Sequence, residues 1–264
     1  MRSVRQLRRA ALLVLCITAT RETQAQMTPT GFLDRSVTVA HLTHPYQVYV
    51  PRTYSSAQRW PVILFLHGAG ERGSDGLAQT AVGLAAAIRQ HPERWPAIVV
   101  FPQVPLDSTW TGEPAEAALA ALQQTMGEYA TDPERVYLTG MSMGGHGAWY
   151  LAYREPELFA ALAPVCAWVT ELPQFAGAQP VVPAGDGDAF SALGERLAAL
   201  PVWIFHGEVD PLVPVAESRS AAAALRAHGG DVRYTELPGV GHGAWDAAYG
   251  SSAFAAWLFE QRRK

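Results

Sequence analysis

The residues of this chain that could carry chemistry sit in three short stretches framed by glycine. The first is Gly140-Met141-Ser142-Met143-Gly144, followed by Gly145. It lies between an apolar run, Val136 to Thr139, and an alanine-rich run, Gly144 to Tyr153. A G-x-S-x-G in that setting reads as a strand, a sharp turn and a helix. So tight a turn brings backbones close, which requires Gly140 and Gly144 to lack side chains. Ser142 is then held in a strained conformation with its hydroxyl above the sheet. The helix that starts there aims its N-terminal dipole and the Met143 amide at developing negative charge. A serine hydroxyl is a weak nucleophile and needs a base. In this setting the partners follow in the order Ser, acid, His. Asp210, within His206-Gly207-Glu208-Val209-Asp210-Pro211, and His242, within Gly239-Val240-Gly241-His242-Gly243, fit that order. Glu208 is the main rival acid, followed by Asp186 and Asp188.

A fourth role falls to the backbone of His67-Gly68-Ala69-Gly70. A glycine-rich loop after a strand lets an N–H point into the site, so Ala69 and Met143 are the expected oxyanion donors. His67 and His206 read as structural, and His146 as a packing or surface residue. There is no H-E-x-x-H and no C-x-x-C, so neither a metal nor a cofactor is expected. The only lysine is Lys264. That excludes a Walker A lysine, a Schiff base and a Ser–Lys dyad. His242 is left as the base for Ser142. Trp110, Trp168 and Trp245 fall near predicted strand ends and are candidate substrate-binding residues, Trp168 first. Each alone reads more readily as a rim or core aromatic than as a substrate contact.

The elements that must position these groups are legible in the apolar pattern. Strands are expected at Val37–Ala40, Gln47–Val50, Val62–Leu66, Ile98–Phe101, Val136–Thr139, Leu162–Cys166, Val202–Phe205 and Val232–Leu237. Helices are expected at Leu77–Arg89, Ala115–Tyr129, Gly144–Tyr153, Ala189–Ala199, Ala216–His228 and Ala244–Glu260. Runs apolar on both faces fit buried parallel strands. Their alternation with helices predicts an α/β fold, a mostly parallel central sheet covered on both faces. Strand C-termini then share one edge, where ligands bind. Residues 167 to 200 leave room only for a small cap, not a large lid. Of the 264 residues 49% are hydrophobic and 17% charged, which suits a packed domain. The net charge of −4 argues against a nucleic-acid partner.

The N-terminus reads as a signal peptide over residues 1–25. Arg2, Arg5, Arg8 and Arg9 precede an uncharged run from Ala10 to Ala19, and Thr23-Gln24-Ala25 offers small residues for cleavage. The apolar run is too short for the ~20 residues of a bilayer span, so no integral membrane segment is expected after cleavage. Removing residues 1–25 takes away five arginines and one glutamate and moves the net charge to −8. Residues 26–264 then form a single catalytic domain whose only cysteine is Cys166. The expected localisation is secreted or periplasmic. No oligomeric state is legible.

The ordered stretches LHGAGERG (66–73), FPQ (101–103), GMSMGGHGAW (140–149), APVC (163–166), FHGEVDPLVP (205–214) and GHGAW (241–245) resemble a secreted bacterial serine hydrolase of the α/β-hydrolase superfamily. They are most similar to the phospholipase/carboxylesterase, dienelactone-hydrolase-like and predicted-peptidase group. The resemblance gives Ser142, Asp210 and His242 the triad roles. It implies a serine carboxylesterase acting on short-chain or aryl esters, small or polymeric, through an acyl-enzyme. A serine peptidase and a feruloyl or polyester esterase are the alternatives. A non-catalytic binding protein would not need the intact Ser, Asp, His and glycines. Two departures separate the chain from these relatives. Ala167-Trp168-Val169 follows Cys166 where glycines are common. Ser142 stands where dienelactone hydrolases carry Cys.

Overall fold

The computed structural model describes residues 28–175 and 177–263. The expected signal peptide, residues 1–25, lies outside the described residues. Among the described residues eight strands form one sheet: β1 (Gly31–Val39), β2 (Leu42–Val50), β3 (Trp60–Leu66), β4 (Ile98–Pro102), β5 (Thr131–Met141), β6 (Ala161–Val165), β7 (Val202–Gly207) and β8 (Val232–Leu237). Their order is β1-β2-β4-β3-β5-β6-β7-β8. β1 and β2 pair antiparallel, as do β2 and β4, and every other neighbouring pair is parallel.

Among the described residues seven α-helices cover the sheet: α1 (Leu84–Gln90), α2 (Glu113–Glu128), α3 (Met143–Arg154), α4 (Ala189–Leu197), α5 (Val215–Ala227), α6 (Trp245–Gly250) and α7 (Ser252–Glu260). One core packs under α2 to α5, the other under α1, α6 and α7. β3 shows why its sequence reads as an unbroken apolar run. Val62, Leu64 and Leu66 enter the first core, while Ile63 and Phe65 enter the second. Period-2 alternation therefore carries apolar side chains to both faces.

The elements fall where expected, with four informative differences. The expected helix Leu77–Arg89 is helical only from Leu84: Ala78–Thr80 form a separate short turn, and Gly83, at φ 67°, breaks the run before α1. Ala40 belongs to the hairpin turn, not to β1. Ala40 and His41 have φ of 47° and 70°, the doubly positive pair of a type I′ turn. β1 begins earlier, at Gly31, because an edge strand tolerates the polar Asp34, Arg35 and Ser36. The expected helix from Ala244 to Glu260 breaks between Gly250 and Ser252, where the Ser251 side chain caps α7 by accepting from the Phe254 amide. Between β6 and α4 the described residues hold only a single helical turn, Pro173–Phe175, so the cap is small.

Candidate active site

Ser142 follows β5 directly and caps α3. Its backbone sits at φ 53°, ψ −120°, a strained position for a residue with a side chain. The two flanking glycines make it possible. A Cβ on Gly140 would overlap the Gly144 carbonyl, and one on Gly144 would overlap the Leu66 carbonyl. Sheet register aligns Leu66 with Gly140 and Met141 with Val165, so the ends of β3, β5 and β6 present their loops side by side.

The other two strand-end loops converge on the serine. Ser142 Oγ donates to His242 Nε2 at 2.8 Å, and His242 Nδ1 donates to Asp210 Oδ2 at 2.7 Å. The carboxylate accepts only, which places the ring proton on Nδ1 and leaves Nε2 free to receive the serine proton. The acid and histidine loops are laced together by Glu208 N to Leu237 O (3.0 Å) and Val209 N to Val240 O (3.1 Å). Gly207 permits this approach, since a Cβ there would meet the Gly241 carbonyl. The rival acids are engaged elsewhere. Glu208 accepts from the Gly239 amide, Asp186 from the Tyr153 hydroxyl, and Asp188 caps α4.

Asp210 is surrounded by donors. Its Oδ1 accepts from Leu212 N (2.8 Å) and Val213 N (3.0 Å), and His206 Nε2 lies 3.3 Å from Oδ2. Burial alone would raise its pKa, but the hydrogen bonds from His206, His242 and the two amides outweigh it. The carboxyl is held well below the usual range. His206, fully buried, also pairs its Nδ1 with Ser218 Oγ at 2.7 Å and its Nε2 with Val213 O at 3.1 Å. The sequence reads it as structural, which its bonds to Ser218 and Val213 match, but does not show its contact with Asp210. No local pattern marks it, since residues 206–210 run from the end of β7 into a turn and have no helical i, i+4 relation.

Met143 opens α3 and Ala69 opens the helical turn Ala69–Glu71, so each amide lacks a partner inside its own helix. Behind Ala69 the loop is braced from three sides. His67 Nδ1 donates to Gly68 O (2.7 Å), and His67 Nε2 accepts from Val104 N (3.1 Å). Buried Gln103 donates to Glu71 O (3.2 Å) and Asp75 Oδ1 (2.9 Å). Burial depresses the His67 pKa to about 4 and keeps it neutral. Cys166, with φ 49°, donates its thiol to the His242 carbonyl at 3.0 Å. Burial pushes that thiol up to about 12. A Cys166, an Asp210 and a His242 ligand atom therefore lie within 4.8 Å of one another, a closeness these hydrogen bonds account for.

A cleft of about 290 Å³ opens over Ser142 and His242, walled by Ala69, Met141, Phe175, Leu212 and Trp245. Of the three tryptophans only Trp245 lines it, with its ring edge-on to His242 at 5.5 Å between centroids. Trp110 is a core residue. It is buried against Gly147 and donates to the His67 carbonyl at 2.8 Å. Trp168 is buried too, stacked between His146 and Phe175, and reaches the cleft only through Phe175. A strand-end position does not tell which way a side chain turns, and these two turn inward, where most of their large apolar surface leaves water. Phe175 was not singled out from the sequence, because nothing local marks an aromatic in a cap segment.

Known proteins share this architecture. A crystal structure described as a thermostable esterase superposes with a TM-score of 0.75 at 33% identity, covering 88% of this chain and 63% of that one. A ferulic acid esterase from Anaeromyces mucronatus, solved with ferulic acid, superposes with a TM-score of 0.62 at 18% identity, covering 93% and 97%. At that identity the likeness is one of fold, the α/β-hydrolase fold. An uncharacterized secreted protein of Arthroderma benhamiae is 25% identical over 251 residues, 86% of this chain and 26% of that protein. The chain spans between 26% and 49% of the length of the curated relatives it matches. The family described as "Putative esterase" matches residues 42–225. That match takes in the Ser142 turn, the Gly68–Gly70 loop and Asp210, and the chain belongs to this esterase family.

Proposed function

We propose that the protein is a serine carboxylesterase that hydrolyses short-chain or aryl carboxylic esters. The observation that carries this reading is the continuous hydrogen-bonded chain Ser142–His242–Asp210 at the mouth of an apolar cleft. His242 takes the Ser142 proton as the hydroxyl oxygen attacks the ester carbonyl. Asp210 holds the Nδ1–H tautomer and stabilises the imidazolium. The Ala69 and Met143 amides receive the oxyanion, a contribution of about 3 kcal/mol per donor in comparable sites. His242 then protonates the leaving alcohol, and its Nε2 activates water to release the acyl group from Ser142.

Phe175 and Trp245 on the cleft walls favour aryl esters among the substrates, and the ferulic acid esterase of the same fold points the same way. The enzyme domain spans residues 26–264. The arginine-led leader directs export, and the secreted relative supports that. Among the described residues no helix is long and apolar enough to cross a membrane. A panel of p-nitrophenyl esters, methyl ferulate and peptide amides tests the substrate class. Ester turnover well above amide turnover is expected, and the reverse ranking makes the protein a peptidase.

A further inference from the structure

Two cavities meet at Phe175. It walls the cleft over Ser142, about 290 Å³, and it also lines a second cavity of about 260 Å³. The second is bounded by Trp168, Leu172, Ala178 and Pro180 on one part of its wall and by His146, Thr170, Glu171 and Gln179 on the rest, and neither Ser142 nor His242 opens onto it. The cleft alone sits at the lower bound of ordinary ligand sites, which run from about 300 to 1,000 Å³. Phe175 is thus the partition between a small reactive cleft and unused space beside it whose wall is apolar at Trp168, Leu172, Ala178 and Pro180.

The partition is firmly based. Phe175 stacks on Trp168 at 4.5 Å and 20°, and Trp168 stacks on His146 at 4.8 Å and 16°. His146 belongs to α3, the helix that Ser142 caps. Its two ring nitrogens each lie 3.1 Å from a carbonyl, those of Trp168 and Gln179. Glu217 on α5 accepts from the amides of Val169 (2.8 Å) and Thr170 (3.0 Å) and from the Thr170 hydroxyl (2.6 Å). At the near end Gln174 donates to the Leu212 carbonyl at 2.8 Å. The wall is therefore built from the nucleophile helix outward, not left as a loose rim.

The sides of the cleft can be told apart. Trp245 stands edge-on to His242, the group that hands its proton to the leaving alcohol, which assigns the alcohol to that side. The acyl chain is left with the apolar wall at Phe175.

We propose that Phe175 sets the acyl-chain limit of the enzyme by sealing off a latent acyl subsite for straight apolar chains. This rests on the esterase reading above. The test measures kcat/KM for p-nitrophenyl acetate, butyrate and octanoate. The wild-type protein should fall off steeply with chain length. Phe175→Ala should raise the octanoate-to-acetate ratio about tenfold or more, since each methylene admitted to an apolar pocket is worth at least that order. Phe175→Leu, which keeps most of the packing, should move the ratio less but in the same direction. Ala178→Phe fills the second cavity, so it should leave the wild-type profile unchanged and cancel the gain when combined with Phe175→Ala. An unmoved ratio, an equal rise for all three esters, or a gain that survives Ala178→Phe overturns the subsite. Labelling of the wild-type protein by a fluorophosphonate probe separates the two readings. A labelled protein with an unmoved ratio loses the subsite alone, and an unlabelled one loses the esterase reading as well.

Discussion

Asp210 shows how much of a site is decided by single hydrogen bonds. Four donors converge on one carboxylate, and one of them, His206, comes from the end of β7, the strand that leads into the loop of Asp210. A hydrogen bond to a charged group contributes roughly 1.5–3 kcal/mol. His206→Leu should therefore lower kcat about tenfold or more with little change in KM, as read by steady-state kinetics on a variant with native circular dichroism. His67 makes a prediction about pH. Its pKa falls from 6.5 in the open chain to about 4 in the fold, chiefly through burial. Above pH 6.5 the group is neutral in both states and its contribution is fully present. Between pH 6.5 and 4 the unfolded chain takes up a proton that the fold refuses, so stability is lost as pH falls, by about 3 kcal/mol in all. Urea unfolding at pH 7 and 4.5 should show the drop, and it should shrink in His67→Gln. Ser142, Asp210 and His242 were legible because each lies in a local pattern of strand, glycine and loop. The contact of His206 with Asp210 was not, because it exists only once residues 207–213 have folded back.

At the scale of elements, the strand-to-helix turn between β5 and α3 is the most demanding joint. Gly144→Ala would drive a methyl into the Leu66 carbonyl, backbone that cannot swing aside. Overpacking of a fixed site costs about 1–3 kcal/mol and at times more. The midpoint of thermal unfolding should drop, and ester hydrolysis should drop further, because the same shift moves Ser142. Ser251 offers a milder case. It caps α7, and Ser251→Ala should cost about 1 kcal/mol in urea unfolding with activity intact. Both features stand in the sequence as glycine and serine, but only the first was read. The G-x-S-x-G signal is long, whereas Gly250-Ser251 is a two-residue break inside an apolar periodic run. Trp110 and Trp168 mark the limit of such reading. Their neighbours along the chain place them at strand ends, and their burial is decided by Gly147, His146 and Phe175, which reach them only through the fold.

For the molecule as a whole, the parallel run of β3, β5, β6, β7 and β8 explains why residues so distant in sequence meet. Each strand enters from the same end, so the Gly68–Gly70 loop, Ser142, Cys166, Asp210 and the loop carrying His242 all emerge on one edge. Two separate cores, one on each face, hold that edge rigid. Alternating apolar strands and helices made this arrangement legible before any coordinate. The partition of the cleft was not, because it depends on a cap whose side chains find their places only against α3 and α5. The central claim is that this edge places an activated nucleophile at Ser142, and it is tested most directly by p-nitrophenyl acetate hydrolysis in a folded Ser142→Ala variant. Loss of the nucleophile of such a triad costs on the order of 10⁶ in kcat. Turnover should fall to the background rate, whereas hydrolysis within tenfold of the wild-type rate, on the order of 1.4 kcal/mol in barrier, would place the chemistry elsewhere.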